Sequence, residues 1–327
     1  MKLRRCISAA AMAAVLAFAH HATAQEASTR ATPAATEWPH YVEPLLPLGE
    51  RLAAKMTGPE DPQLRAELYK LIFSQISSAY LGLLYADPKH PDFWPAFNEA
   101  YNIFGPNPDN SYYLTPIEGN GVYKISGYRG TTRIVDFSVA GGSMLPYGYG
   151  PFGPAFGNYD LDKLKIGKDG AFEVILSNER PAGYTGDWWK LNPQSTYILV
   201  RQLSLDWLNE NDARLAIDRL DTPAIRPRPT KEEIDAKLRM IPAWAENWTA
   251  LNFRWLENYL KNAPINNVHV HSLASQGGLS TQQYVEGQFE LGPDEALIYE
   301  TDVPKTCRYW GLQITDMLMV SIDYMNR

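Results

Sequence analysis

Cysteine is almost missing from this chain: two in 327 residues, with Cys6 inside what reads as a removable leader. Cys307 is then left alone, which excludes an internal disulfide and any cysteine-built metal site. Histidine is scarce too, six in all, and no HExxH spacing occurs. No GxSxG elbow is present, nor a phosphate loop of the P-loop or dinucleotide type, so neither a serine-elbow hydrolase nor a nucleotide cofactor is expected. Basic charge is in deficit, with 30 Lys and Arg against 37 Asp and Glu. Three of the basic residues belong to the leader, which takes the net charge from −7 to about −10 in the mature chain. Such a field repels phosphate backbones, so no nucleic-acid partner is expected. Beyond the leader no apolar run approaches the roughly 20 residues of a membrane helix, so no transmembrane segment is expected after cleavage.

What is present begins with that leader. Lys2, Arg4 and Arg5 form a basic head, Ile7 to Ala19 an Ala-rich apolar run, and Ala22-Thr23-Ala24 a small-residue cleavage site. This is the layout of a secretory signal peptide spanning 1–24. An exported chain without a disulfide, yet large enough to build its own core, suits a bacterial periplasm or secretion.

Residues 25–95 read as a loose leader followed by a helical segment. Asp61-Pro62 caps a helix whose Leu64, Leu68, Leu71, Ile72 and Leu83 recur at helical spacing to about residue 85. The pattern then changes. Val135, Phe137 and Val139 alternate with polar residues, as do Phe172, Val174 and Leu176, while Tyr197 to Leu203 is apolar on both sides. Gly- and Asn-rich turns separate these strands, so 96–327 is expected to be an antiparallel β-sandwich. Two helices are inserted at about 230–262, the first opened by the Thr230/Glu233 capping box. Leu145 to Gly157 reads as a long aromatic loop, and further strands are expected at 283–291, 295–301 and 309–319.

Several blocks resemble proteins carrying the domain of unknown function numbered 1214. They are Asn107-Pro108-Asp109-Asn110-Ser111-Tyr112-Tyr113, Gly121 to Gly130, Gly186-Asp187-Trp188-Trp189, Arg201-Gln202 with Asp206-Trp207, Gln283 to Gly287, Glu295 to Ile298, and Tyr309 to Ile314 with Asp316. The resemblance covers roughly 95–327. It implies an α+β, mainly β, jelly-roll-like sandwich with flanking helices, and it implies no reaction. Relatives continue past the Trp310 strand, so a C-terminally truncated chain is expected, with a shortened family variant as the alternative.

Candidate site residues follow from chemistry. Tyr112, Tyr113, Tyr147, Trp188 and Trp189 lie near Gly and Pro, where aromatic rings on one rim of a sandwich would offer flat surface to a small apolar or carbohydrate ligand. Packing at the sandwich ends is the plainer role for them. Asp109 and Asp187 are the carboxylates for acid–base work on such a ligand, although Asp109 also reads as a turn residue. His269 and His271 are the only histidine pair two apart. On a strand both would point to one side, a spacing that can hold a transition metal, but no third ligand is evident and no metal site is assigned. In a loop after Pro264 they would simply be solvated. Arg201 with Asp206 reads as an ion pair at a strand end. Three functions remain open: a periplasmic binding protein with an aromatic-lined cleft, a periplasmic hydrolase or lyase using Asp and His, and a non-functional fragment.

Overall fold

In the computed structural model the described residues are 37–56, 60–98, 105–142, 152–262, 265–274 and 278–321. Residues 1–24, expected to be a signal peptide, lie outside them, as do Tyr147 and the stretch from Leu145 to Pro151.

The order of elements explains how the layers form. Three helices come first, α1 (Pro39–Val42), α2 (Leu48–Ala53) and α3 (Pro62–Ala79). Asp61 starts α3 as the sequence predicts, its carboxylate accepting from the backbone N–H of Gln63 at 2.9 Å and of Leu64 at 3.3 Å. Past Ala79 the helix widens into a π-turn over Tyr80–Tyr85. Gly82 sits in that turn directly under the Trp244 ring, where a Cβ would fall 2.3 Å from the indole.

Nine strands follow: β1 (Trp94–Ala96), β2 (Asn110–Pro116), β3 (Tyr123–Tyr128), β4 (Ile134–Gly142), β5 (Phe152–Asp160), β6 (Ala171–Ser177), β7 (Asp187–Lys190), β8 (Tyr197–Leu203) and β9 (Arg214–Arg219). They make a five-stranded sheet, β1-β2-β8-β4-β5, and a four-stranded sheet, β7-β6-β3-β9. The chain crosses repeatedly from one sheet to the other, and all pairs are antiparallel except β6 with β7. Helices α4 (Lys231–Arg239) and α5 (Ile241–Asn262) come next, then a separate hairpin of β10 (Asn267–His271) and β11 (Tyr284–Gln288). The fold is α+β and rich in β-structure.

Alternation of side chains sorts the core. Val135, Phe137, Val139, Ile198 and Val200 of the first sheet meet Tyr123, Ile125, Val174 and Leu176 of the second in one buried cluster. The opposite face of the five-stranded sheet presents Leu114, Ala140, Tyr197 and Leu199 to Ala79, Trp244 and Trp248 of the helices. Strand β8 is therefore paired on both edges and covered on both faces, which is why its sequence is apolar at nearly every position. A third cluster joins α2, α3 and α5 around Leu52, Leu68 and Phe253 and takes in Leu318 from near the end of the described chain.

Three expectations are corrected. Phe152 to Gly157 is not loop but part of β5, which tolerates Pro154 because it is the edge of its sheet. Its glycines serve close packing: a Cβ on Gly153 would lie 2.4 Å from the Gly141 carbonyl oxygen. Residues 295–301 form no strand, and 309–319 contribute only an isolated bridge between Thr315 and Ser321. Leu297, Ile298, Trp310 and Leu312 lie exposed there, and no described strand runs alongside to supply ladder bonds. The parallel β6–β7 pair is the third departure. No helix among the described residues is long and apolar enough to cross a membrane.

Candidate functional site

The helix-side face of the five-stranded sheet carries a polar cluster that periodicity alone does not reveal. Register places Tyr112 opposite Arg201, Arg201 opposite Asp136, and Asp136 opposite Asp160, all on one face. One row over, Ser138 stands opposite Asn158. Arg201 Nη1 donates to Ser138 Oγ at 2.6 Å, and Ser138 Oγ donates to Asp136 Oδ1 at 3.1 Å. Asp160 is engaged by Arg308 at 2.7 Å. Burial is the main influence on Asp136 and pushes its carboxyl up to about 6, with Arg201 and Ser138 pulling the other way.

Four polar side-chain atoms on this face are buried without a hydrogen-bond partner among the described residues: the Tyr197 hydroxyl, Asn158 Nδ2, Asn110 Oδ1 and Trp94 Nε1. A native fold pairs the great majority of its buried polar groups, so each exception calls for an occupant or a function. Tyr197 is raised to about 12 by burial, with Arg201 opposing.

The β10–β11 hairpin turns its polar side inward. His269, His271, Tyr284 and Glu286 share one face, while Val268, Val270 and Val285 share the other and are exposed. The two imidazoles stack at 5.0 Å, and His271 stacks in turn on Tyr284 at 5.7 Å. His271 Nε2 lies 3.1 Å from Glu286 Oε2, and that oxygen and His271 Nδ1 are both buried without a hydrogen-bond partner among the described residues. Burial raises Glu286 to about 7, while burial and the neighbouring His269 lower His271. The hairpin reaches the sheet through Tyr284, whose phenol is raised by burial and lowered by Arg201. Tyr112 is raised by burial, lowered by Arg201 and raised again by Tyr284.

The sequence candidates are distributed over this frame. His269 and His271 are strand residues pointing to one side, not loop residues, and they belong to the hairpin. Tyr112 lies on the clustered face, and its hydroxyl accepts from Asn107 N and Asn110 Nδ2, each at 3.3 Å. Tyr113 points the other way, into the inter-sheet core. Trp189 is buried in that core, stacked on Tyr159 at 4.8 Å. Trp188, on β7, donates to Ser177 Oγ at 3.0 Å and lies under Arg180. Asp109 ties three elements together, its carboxylate accepting from Trp207 Nε1 at 3.1 Å and from the Tyr309 hydroxyl at 2.8 Å. The turn around it is closed by Asn107, whose side chain accepts from Asp109 N. Asp187 accepts from the Lys165 backbone N–H at 2.7 Å in the four-stranded sheet. The expected Arg201–Asp206 pair does not form, because Asp206 turns to Leu208 N and Asn209 Nδ2. Among the described residues no three His, Cys, Asp or Glu side chains are grouped to hold a metal ion.

Ser138, Asn158 and Tyr197 were not singled out by sequence, which reads Arg201 only as half of a structural ion pair and Glu286 only as part of a resemblance block. The usable signal was Arg201 itself, a lone charge inside a strand otherwise apolar on both sides.

No protein-family model matches the chain, and no curated protein matches it. Among solved structures it is similar to an uncharacterized protein from Burkholderia cenocepacia, 28% identical, with a TM-score of 0.76 over 88% of this chain and 79% of that one. A Vibrio parahaemolyticus protein aligns over 36% of this chain and 32% of its own, at 11% identity and a TM-score of 0.26. The first likeness supports the α+β, β-rich fold; the second is too slight to bear on it.

Proposed function

We propose that this chain is an exported bacterial protein, related to those carrying the domain of unknown function numbered 1214, that binds a small polar ring compound of carbohydrate type. Its site is the sheet face around Ser138, with Tyr112, Tyr197 and Arg201 on the sheet and Tyr284 from the hairpin. One observation carries the reading: Tyr197 OH and Asn158 Nδ2 have left water without a hydrogen-bond partner among the described residues, beside aromatic rings. A ligand with several hydroxyl or carbonyl groups satisfies both, whereas a purely apolar one leaves both unmet. Export rests on the basic head, the apolar run and the Ala22-Thr23-Ala24 site.

A thermal-shift screen against sugars, aromatic acids and steroids tests the reading, since a ligand that prefers the folded state raises the melting temperature. Stabilisation by a sugar that is lost in Tyr197→Phe and Asn158→Ala is the expected result. A flat response to every compound overturns it.

A second reading, a hydrolase or lyase, is favoured by the His271–Glu286 approach at 3.1 Å. An imidazole held between two rings beside a carboxyl of raised pKa is an arrangement suited to proton transfer. Cleavage of chromogenic glycosides that disappears in His271→Asn would establish it.

A further inference from the structure

We propose that residues 291–304 form an arm that pairs with β9 of a second copy of this chain, reciprocally, to make a twofold dimer. The inference is independent of the ligand reading above.

The arm is strand-like in sequence and uncovered in the fold. From Leu291 to Pro304 every residue is exposed, and none belongs to a helix or strand. Leu297, Tyr299, Thr301 and Val303 alternate with Ile298, Glu300 and Asp302, the period of a strand with one mainly apolar and one mainly charged side. Leu297, Ile298, Tyr299 and Val303 all stand in solvent. Large apolar side chains gathered in this way mark a contact surface. The stretch is tied down on either side. Glu290 N donates to Asn266 Oδ1 at 2.9 Å, and Arg308 pairs with Asp160 at 2.7 Å and with Asp162 at 3.3 Å. Fixed ends thus present a long loop, of a length that is uncommon without a function.

An open sheet edge is what a lone strand fits. The two large sheets have four edges. β1 has three residues and contains Pro95, and β5 contains Pro154 and two register shifts. β7 has four residues, and its Lys190 carbonyl already accepts from the Tyr159 hydroxyl at 2.6 Å. β9 has six residues and no proline, and no described strand lies beyond it.

Charge matches arm to edge. Asp294, Glu295, Glu300 and Asp302 lie in the arm, which has no Lys or Arg. β9 carries exposed Arg214, while its Asp218 is matched to Lys124 at 3.4 Å, and exposed Arg226 and Arg228 follow the strand. Leu215 and Ile217 face the inter-sheet core, so Arg214 faces away from it. A strand laid along β9 with Leu297, Tyr299 and Val303 on the core side puts Glu300 and Asp302 on the side of Arg214. Each copy has one arm and one such edge, so a twofold pair uses both and leaves neither over.

Sedimentation velocity of the chain over a wide range of concentrations tests the proposal. A dimer is expected, weakened about tenfold or more by Leu297→Asp combined with Tyr299→Asp. Both residues are exposed, so circular dichroism should show that variant still folded. Arg214→Glu, and separately Glu300→Arg with Asp302→Arg, should each weaken the dimer through like-charge contact. An equimolar mixture of these two variants should restore it, because every arm then meets an edge of opposite charge. A chain that stays monomeric throughout overturns the proposal, and so does a dimer indifferent to the Leu297 and Tyr299 changes. Failure of the mixture to restore association overturns β9 as the edge.

Discussion

Glu286 Oε2 lies 3.1 Å from His271 Nε2 on the inward face of the hairpin, and no cation stronger than that imidazole is known to face it among the described residues. A carboxyl in such a place is easier to bury protonated than charged, which is why it titrates at about 7.

Stability should therefore depend on pH through this residue. Its folded value lies above the ordinary carboxylate value of 4.5, so its contribution is complete below about 4.5 and is lost as pH rises through about 7. Glu286→Gln removes that loss. Discounted for partial exposure, the gain at pH 8 is about 1 kcal/mol, or roughly 2–4 °C in Tm. Circular-dichroism melts of both chains at pH 4.5 and pH 8 check it, and equal sensitivity of the two to pH would contradict it.

Gly82→Ala should disrupt the helix layer. Its added methyl would lie 2.3 Å from the Trp244 ring, and that ring is buried and donates to Ser78 Oγ at 2.8 Å. Forcing the indole aside costs about 1–3 kcal/mol. Urea unfolding should show a lowered midpoint with an unchanged slope.

Asp109 is expected to hold structure together. Asp109→Ala removes acceptors from Trp207 and Tyr309 and should cost about 2 kcal/mol. Hydrogen exchange should quicken around 307–313 and in the 205–210 loop, while the amides of β6 stay protected. Unchanged exchange in both loops would show that the ties are dispensable.

Thr230→Ala breaks a reciprocal cap in which Glu233 N donates to Thr230 Oγ1 at 3.2 Å and Thr230 N to Glu233 Oε2 at 2.7 Å. The loss should be about 1 kcal/mol, read by chemical denaturation. Thr230→Ser should recover most of it.

Local signals in the sequence were legible wherever one residue's chemistry fixed the outcome. Asp61 before Pro62, the Thr230/Glu233 box and the alternation in β4 and β6 each led to the element found. The signal failed where context outweighs propensity. Gly153, Pro154 and Gly157 look like loop residues, yet an edge position and close backbone contact make them strand. Ile298 and Leu312 look like strand residues, yet no described neighbour pairs with them. The polar face was hidden for a different reason: Arg201 on β8 meets Ser138 and Asp136 on β4 only through the register of two strands far apart in sequence. Register follows from the packing of whole sheets and not from any window of sequence.

The placement of β8 has a mechanical consequence. Its seven residues are clamped along both edges and sandwiched between helices and a second sheet, so Arg201 and Tyr197 stand on the least yielding part of the molecule. The hairpin reaches this face through Tyr284 and leaves its valines in water. On the binding reading proposed above, recognition is set by an anvil that holds its shape rather than by the hairpin.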